Sequence, residues 1–364
     1  MQRFGIDQFD PHIIRDLRVG LLAHPASVNA EGVHTADVLR SAGINLVAVF
    51  GPEHGYFGWG GAGEKILDTT HPFYDVPVHS LYGEQRKPSH AMLEGVDALV
   101  IDLQDLGARC YTYLSTMRYV LEVAAELGIF VHVLDRPIPL PMIFDGPRLK
   151  RGFESFVCLV DVPLCFSMTP GEAAAYMNEK FGLKAKLAIT PCGPGTEFEI
   201  RVAPSPAIRS AATARAYLAT VWTEALPQFK CDRHGLIPFQ CLASDWLEPE
   251  RLIDAMPRIP GVKLFPHLLR EDGEIYKGIR IAASPTSLRP VKLGVQLLAA
   301  LRDVYGNDKI WGGEDVKPEF FDKLMGTDEV RRSLLNGESA ESIATQWQPG
   351  IDAFENEWES VRFE

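Results

Sequence analysis

The stretch ALVIDLQDLGARCYTY, residues 98–113, decides the fold class, because an apolar run leads directly into a polar loop and then into a helix. The run ALVIDL is almost wholly apolar, as in a strand that is covered on both faces. Beyond the loop, Leu114 and Leu121 recur at helical spacing and Gly128 is a typical helix end, so a helix is predicted over 111–127. The stretch therefore predicts one strand–loop–helix unit of an α/β protein.

Comparable apolar runs lie on both sides of this unit. They are LRVGLLA (17–23), NLVAVF (45–50), VPVHSL (76–81) and IFVHVL (129–134). Apolar strands that alternate with helices predict a parallel sheet with helices on both of its faces. In such sheets ligands bind outside the carboxyl ends of the strands, so a functional site is expected in the loops at those ends.

The pattern changes in the second half of the chain, where short apolar runs are mixed with helical segments. Three possible strands there are 186–189, 263–265 and 278–282. They indicate a second subdomain with a mixed sheet. We therefore predict an α/β protein with a parallel-sheet domain over residues 1–150, which carries most candidate site residues, and a smaller mixed α/β domain over residues 151–364.

Composition excludes several functional classes. The 364 residues are 46% apolar, which is ample for a folded core, and the net charge is −12. Such a surface repels phosphate backbones and anionic lipid, so neither a nucleic acid nor a membrane is predicted as a partner. No window reaches the roughly 18 apolar residues of a membrane span. The chain as written is predicted to be cytoplasmic, or secreted or periplasmic if a signal peptide has been removed.

Chemically active side chains cluster in the loops that follow three predicted strands. In chain order the candidates are Glu53, His54 and Glu64 in the first loop, Asp102, Gln104, Asp105, Arg109, Tyr111 and Tyr113 in the second, and Asp135 and Arg136 in the third. Loops need only turn residues, so this content of acids, arginines and tyrosines predicts a functional site at one sheet edge.

Two or more carboxyl groups around one site, together with aromatic residues and an arginine, suit glycoside hydrolysis. One acid must donate a proton to the leaving oxygen, and another must be ionised, as a base or a nucleophile. Glu53 follows Pro52 at a strand end and is the first candidate, as the general acid or as its partner. Burial beside Tyr56, Phe57 and Trp59 would favour its protonated form.

Several candidates also have a structural explanation. Glu53 could be a helix cap or an ion-pair partner. Asp102, Asp105 and Arg109 could lock their loop, or Arg109 could bind a substrate carboxylate in a fork. Glu172, in TPGEAAAYMNEKF (169–181), has the spacing of an acid that is favoured at a helix N-terminus.

No cofactor and no metal ion are predicted. The glycines of 55–63 do not open a helix as a dinucleotide fingerprint does, and the six cysteines form no C-x-x-C pair. A G-x-S-x-G elbow is also absent. The alternatives to a glycosidase are a non-catalytic glycan-binding protein, a hydrolase of a different glycoside or of an ester or amide, and a metal-dependent hydrolase such as a phosphatase.

With these residues in this order, the chain resembles the exo-β-N-acetylmuramidase family of the NamZ/YbbC type. The matching stretches include FGPEHGYFG (50–58), VHSLYGEQRKP (78–88), IDLQDLGARCYTYLSTM (101–117), VLDRP (133–137) and MTPGEAA (168–174). Weaker matches continue to the C-terminal helices, so the resemblance covers essentially the whole chain.

The resemblance implies a Rossmann-like N-terminal domain, a smaller C-terminal α/β domain and a cleft between them. It implies metal-independent release of terminal N-acetylmuramic acid from peptidoglycan-derived glycans, in bacterial cell-wall turnover and recycling. On this basis Glu53, Glu64 and Glu172 are the catalytic candidates. Arg109, Tyr111 and Tyr113 would line the sugar site, and Arg109 or Arg136 would pair with the lactyl carboxylate of muramic acid.

Two stretches depart from the family pattern. Phe166 and Ser167 stand where members usually have a His-Gly pair, and residues 232–235, DRHG, replace a Gly-Arg-Gly-Thr stretch. Both lie in the second half of the chain, so the substrate is expected to differ from that of other members more than the fold does.

Overall fold

The computed structural model describes residues 3–271, 273–284 and 288–363. The strands are β1 (Arg18–Leu22), β2 (Asn45–Gly51), β3 (Thr69–Thr70), β4 (Pro77–Ser80), β5 (Ala98–Ile101), β6 (Phe130–Leu134), β7 (Lys186–Thr190), β8 (Cys241–Ser244), β9 (Val262–Glu271) and β10 (Glu274–Ala283). The five strands predicted before residue 150 are all present, because their apolar runs leave no other way to bury both faces.

The larger sheet has the order β3-β4-β2-β1-β5-β6-β7. All neighbouring pairs are parallel except β3 with β4, which is antiparallel. Counted along the chain, the parallel strands follow the 3-2-1-4-5-6 order of a Rossmann-like sheet, and the order reverses between β1 and β5. The predicted fold class is therefore confirmed, and the carboxyl ends of β1, β2 and β5 meet at the switch point.

Strand β7 corrects one expectation about the second half. Residues 186–189 were expected in the second subdomain, but β7 pairs in parallel with β6, from Phe130 opposite Lys186 to Leu134 opposite Thr190. The prediction was wrong because a long crossover separates the two strands along the chain, while helix Pro170–Lys180 packs against both of them. The smaller sheet, in the order β8-β10-β9, is wholly antiparallel.

Helices cover both faces of the large sheet and build most of the second half. They are α1 (Gly5–Gln8), α2 (Thr35–Ser41), α3 (Tyr113–Leu127), α4 (Pro170–Lys180), α5 (Ala211–Thr220), α6 (Pro249–Ala255), α7 (Pro290–Tyr305), α8 (Asn307–Trp311), α9 (Pro318–Met325), α10 (Glu329–Leu335) and α11 (Ala340–Trp358). Short 3₁₀ turns span Pro11–Ile14, Ala91–Leu93 and Val221–Glu224. Gly128 ends α3 in the left-handed conformation at φ 69°, as its position predicted.

One hydrophobic core runs from the large sheet into the second half. The face covered by α3 and α4 shares its cluster of buried side chains with α5, α7, α9 and α11. The opposite face forms a smaller core with α1 and α2. The two halves are therefore joined by continuous apolar burial, which holds the loops of one against the other. Among the helices of the described residues, none is long and apolar enough to cross a membrane.

Candidate active site

The loops that carry the predicted site residues do lie at one edge of the sheet. Glu53 follows β2, Asp102 follows β5 and Asp135 follows β6. A tight turn aims the first loop: His54 and Gly55 have φ 72° and 78°, and a Cβ on Gly51 would lie 2.1 Å from the Tyr56 nitrogen. Only glycine tolerates such a close backbone approach, so the PEHG segment folds back over the strand end.

Asp102 and Arg136 meet beneath this edge as a fully buried ion pair. The Arg136 Nη2 donates to Asp102 Oδ2 at 2.8 Å, and Nε donates to Oδ1. Thr35 donates its hydroxyl to the same carboxylate, and Arg136 also donates to the Val28 carbonyl at 2.8 Å. The Asp102 carboxylate is therefore fully engaged within the protein, and Nε and Nη2 of Arg136 are committed to Asp102 and Val28.

Arg109 is also buried, and it joins the two halves of the chain. Its Nη1 donates to the carbonyls of Pro147 and Val162 at 2.8 and 2.7 Å. Its Nη2 donates to Leu324 and Met325, at the end of α9, at 3.3 and 2.6 Å. The structure does not bring this guanidinium to the surface of the site, so its expected contact with a lactyl carboxylate has no support in its position.

The remaining polar candidates of the second and third loops form hydrogen bonds to backbone groups and so hold these loops in place. The Gln104 side chain donates to the carbonyls of Asp105 and Pro137 at 3.0 and 2.8 Å. Asp105 accepts from the Gly107 N–H at 2.8 Å, and Asp135 accepts from the Gly171 N–H at 2.7 Å. Burial raises the pKa of Asp105 and of Asp135 to about 7 in each case, against these backbone donors.

The Glu53 carboxylate is half-buried and surrounded by hydrogen-bond donors. Its Oε2 accepts from the Thr112 hydroxyl at 2.8 Å, and its Oε1 accepts from the Gly63 N–H at 3.1 Å. Tyr82 lies beside it: burial, followed by the charge of Glu53 and a hydrogen bond to it, raises the pKa of the Tyr82 hydroxyl. Donors to both oxygens stabilise negative charge on this carboxylate.

Tyr111 and Tyr113 lie behind Glu53. Both are buried, and burial raises the pKa of each hydroxyl, with the Glu53 charge as a further cause. Tyr113 donates to the Pro204 carbonyl at 2.7 Å, whereas the Tyr111 hydroxyl has no hydrogen-bond partner within 3.5 Å in the described part of the chain. The two predicted tyrosines therefore lie near the Glu53 carboxylate, but both are buried and their rings are not exposed to a ligand.

The aromatic residues that were expected to bury Glu53 occupy a different place. His54, Tyr56, Phe57 and Trp59 line a cavity of about 340 Å³ with Ile66, Leu67, Asp68 and His79, and Glu53 is not among its lining residues. Phe57 and Trp59 stack with ring centroids 4.4 Å apart, and Trp59 is 75% exposed. The expected cause was wrong: polar donors, not these rings, surround the Glu53 carboxylate.

Glu224 also belongs to this site, although the sequence did not single it out. It ends the 3₁₀ turn Val221–Glu224 in the second half of the chain, and the Arg233 guanidinium lies 3.8 Å from its Oε1. Burial raises the pKa of Glu224, Arg233 lowers it, and the negative charge of Glu53 raises it further. The two carboxyl groups are therefore close enough to influence each other. No spacing signal marks Glu224 in WTEALP, because Glu53 lies far away in the first half of the chain and Arg233 reaches Glu224 only through a turn.

The two departures from the family pattern have different positions. Ser167 is buried, and its hydroxyl donates to the Leu140 carbonyl at 2.6 Å, so the change at 166–167 is a matter of packing. In the second departure, Asp232 has φ 59° and accepts from the Ile237 N–H at 2.8 Å. That turn presents Arg233 to Glu224, so the second departure contacts the site.

Glu64 is exposed and belongs to its own loop. Its Oε2 accepts from the Gly61 N–H at 2.7 Å, and the neighbouring Gly63 N–H donates to Glu53. The contact shapes the loop that supplies a donor to Glu53. A catalytic role of Glu64 remains a prediction.

Glu172 is buried at the start of α4, and its hydrogen-bond partners differ from those of Glu53, Glu64 and Glu224. It forms a capping box with Thr169, and its carboxylate accepts from the Trp358 indole at 3.3 Å and from the Phe363 N–H at 3.1 Å. These bonds tie the C-terminal segment to the large sheet. A catalytic role of Glu172 also remains a prediction.

We expect Glu172→Gln to destabilise the protein more than it impairs turnover. An amide offers one acceptor oxygen where the carboxylate serves three N–H donors, so a buried donor is left unpaired. The free energy of unfolding should fall by about 1–3 kcal/mol. Urea unfolding and the kcat of the remaining folded enzyme check this. An unchanged unfolding midpoint with kcat as low as that of Glu53→Gln would contradict the structural assignment and support catalysis.

Within the described residues, no group of three or more His, Cys, Asp or Glu side chains is arranged to hold a metal ion.

Comparison with known proteins gives the same family over nearly the whole chain. Two family models match: exo-β-N-acetylmuramidase NamZ, N-terminal, over residues 19–212, and its C-terminal counterpart over residues 196–363. A peptidoglycan β-N-acetylmuramidase NamZ of Bacillus subtilis is 32% identical over 370 residues, which covers 96% of this chain and 88% of that protein.

Two crystal structures of DUF1343 family proteins from Bacteroides fragilis share the fold. The first has a TM-score of 0.89 and 27% identity, and covers 100% of this chain and 98% of its own. The second has a TM-score of 0.80, 24% identity and coverage of 99% and 98%. The Rossmann-like sheet and its extension into the second half are thus found in full in solved structures.

A Rossmann-like sheet with acidic candidate residues at its carboxyl edge, in a chain with these relatives, defines the class: a glycoside hydrolase of the exo-acting type. The chain belongs to the exo-β-N-acetylmuramidase NamZ family. The resemblance drawn from the sequence is confirmed, and hydrolysis is favoured over a non-catalytic glycan-binding role.

Proposed function

We propose that this protein removes terminal N-acetylmuramic acid from the non-reducing end of peptidoglycan fragments, with Glu53 as a catalytic carboxylate. The observation that carries the proposal is the Glu53 carboxylate itself, which stands at a strand end with hydrogen-bond donors on both oxygens. Full-length similarity to the Bacillus subtilis peptidoglycan β-N-acetylmuramidase supports the choice of sugar.

Glycoside hydrolysis requires negative charge near the anomeric carbon, where the transition state resembles an oxocarbenium ion. The Thr112 hydroxyl and the Gly63 N–H hold the Glu53 carboxylate in one orientation. Little reorganisation of the protein is therefore needed when positive charge develops on the sugar in the transition state. Glu53 therefore acts as the nucleophile or as the base that activates water. Thr112 and Gly63 act as positioning groups.

The lactyl carboxylate distinguishes muramic acid from glucosamine, and it needs a cation on the surface of the site. Arg109 and Arg136 have their guanidinium groups buried among protein acceptors. Arg86 and Arg233 stand at the surface instead: Arg86 lies over the Tyr82 ring at 5.7 Å, and Arg233 faces Glu224. We assign the lactyl contact to this surface pair.

Parallel assays of two nitrophenyl glycosides test the proposal. The protein should hydrolyse the β-N-acetylmuramide and leave the matching β-N-acetylglucosaminide essentially intact. Reversed-phase separation of a muramyl disaccharide digest should show release of single muramic acid units from one end. Hydrolysis of the glucosaminide alone, or of neither compound by folded protein, would overturn the proposal.

A further inference from the structure

The carboxyl group of Glu224 differs from that of Glu53 in its partners. Its nearest cation is the Arg233 guanidinium at 3.8 Å, and it accepts no hydrogen bond within 3.5 Å from any described residue. Its side chain is 27% exposed. Glu53, by contrast, has donors on both oxygens. Of the two, Glu224 has less to stabilise its negative charge.

The surroundings of Glu224 hold it in place. Trp222 and Thr223 of the same 3₁₀ turn are buried, and the Trp222 indole donates to the Ala219 carbonyl at 2.8 Å. Arg233 donates to the Thr223 hydroxyl at 3.3 Å, which fixes the guanidinium beside Glu224. The carboxyl group is therefore presented by a rigid turn rather than by a loose loop.

The position of Glu224 relative to Glu53 completes the arrangement. Helix α5 leads directly into the 3₁₀ turn that ends at Glu224, and its Tyr217 packs against Tyr111 behind Glu53, with ring centroids 6.0 Å apart. The charges of Glu53 and Glu224 both raise the pKa of the buried Tyr217 hydroxyl. Glu53 comes from the large sheet and Glu224 from the second half of the chain. The two carboxyl groups thus approach the same pair of tyrosines from opposite halves of the protein.

We propose that Glu224 is the catalytic proton donor of this glycosidase and that Arg233 positions it. The proposal rests on the function proposed above and deepens it. The proton of Glu224 goes to the glycosidic oxygen while the bond from that oxygen to the anomeric carbon breaks, and the electron pair of the bond stays with the departing sugar. Water then adds its hydroxyl to the anomeric carbon, and its remaining proton returns to Glu224, directly or by way of Glu53.

The electrostatics agree with this division of roles. Burial raises the pKa of Glu224 above its usual range, the Glu53 charge adds to the rise, and Arg233 only partly opposes it. Paired carboxyl groups whose surroundings push their proton affinities apart are the usual basis of acid and base roles in glycosidases.

Substrates with different leaving groups distinguish a catalytic proton donor from a residue with a structural role. Release of a sugar alcohol needs protonation, whereas release of a nitrophenolate does not, because the phenolate is a stable anion. We expect Glu224→Gln to lower kcat/KM for a muramyl disaccharide by about 10²–10⁴-fold, with a much smaller loss for the nitrophenyl muramide. The high-pH limb of the kcat/KM profile should also disappear, since it reports loss of the Glu224 proton.

Glu271→Gln is the matched control, because Glu271 is 24% exposed in its side chain and pairs with Lys230 at 3.4 Å in the same half of the chain. It should leave both substrates and the pH profile unchanged. Thermal unfolding of each variant checks folding, and Glu224→Asp, which keeps the carboxyl group, serves if the glutamine variant does not fold. It should retain the high-pH limb with reduced kcat.

Equal losses on both substrates, or no loss, in folded Glu224→Gln would overturn the proton-donor role. A wild-type protein that hydrolyses no muramide would instead overturn the proposed function. The two failures are therefore distinguishable, because the second appears before any variant is made.

Discussion

Replacing Glu53 with glutamine is expected to lower kcat by about 10⁴-fold on every muramide, including those with activated leaving groups. The amide cannot carry the negative charge that the anomeric carbon requires, whatever group departs. Its oxygen can still accept from Thr112 or Gly63, so the thermal unfolding temperature should change little. Steady-state kinetics on both the disaccharide and the nitrophenyl muramide measure the effect.

The breadth of this loss separates Glu53 from Glu224. Glu53→Gln should fail on both leaving groups, whereas Glu224→Gln should fail mainly on the sugar. Glu84→Gln is a suitable control, since Glu84 is exposed and pairs with Lys65 of the same loop region at 2.7 Å. Full turnover by a folded Glu53→Gln variant would remove Glu53 from the mechanism.

The largest effect on stability is expected from Asp102→Asn. The substitution leaves the Arg136 guanidinium buried without its counter-charge, and the added amide N–H₂ faces donors from Arg136 or Thr35. Removing one partner of a buried ion pair costs about 3–5 kcal/mol, because the remaining charge stays desolvated. The urea concentration at the unfolding midpoint should fall accordingly.

Two further variants test the cause of this loss. Asp97→Asn breaks the exposed pair between Asp97 and Arg18, which solvent screens, and should change the midpoint far less. Thr35→Val removes a single donor to Asp102 and should have an intermediate effect. A midpoint for Asp102→Asn as close to wild type as that of Asp97→Asn would show that the buried pair contributes little.

Charged residues that stabilise a loop and charged residues that act in catalysis are of the same types and occupy the same strand ends. Asp102, Arg109, Arg136 and Glu172 have the residue types of a sugar site, yet each is buried and hydrogen-bonded to other parts of the protein. A loop that must present a functional carboxylate rigidly needs buried ion pairs and backbone locks behind it. Charged residues at strand ends therefore include both the groups that act and the groups that hold them.

Glu224 shows the opposite case. Its local sequence is an ordinary helix end, and its importance arises from Arg233 and from Glu53 across the site. A carboxyl group acquires an unusual proton affinity from burial and neighbouring charge, which no local pattern contains. The same reasoning explains β7, whose place in the large sheet depends on a crossover helix rather than on its own residues.

The amino-acid sequence by itself determined the parallel sheet with helices on both faces and the end of the long helix at Gly128, and it predicted a site at the carboxyl edge of that sheet with Glu53 as the first candidate. These follow from apolar runs, helical spacing and turn residues, which are local properties of the chain. Only the tertiary structure decided which charged side chains are buried and hydrogen-bonded within the protein, which remain available, and that the turn of Glu224 packs close to the tyrosines behind Glu53. Those outcomes depend on contacts between residues far apart in the chain, because burial and Coulomb interaction act through space rather than along the sequence.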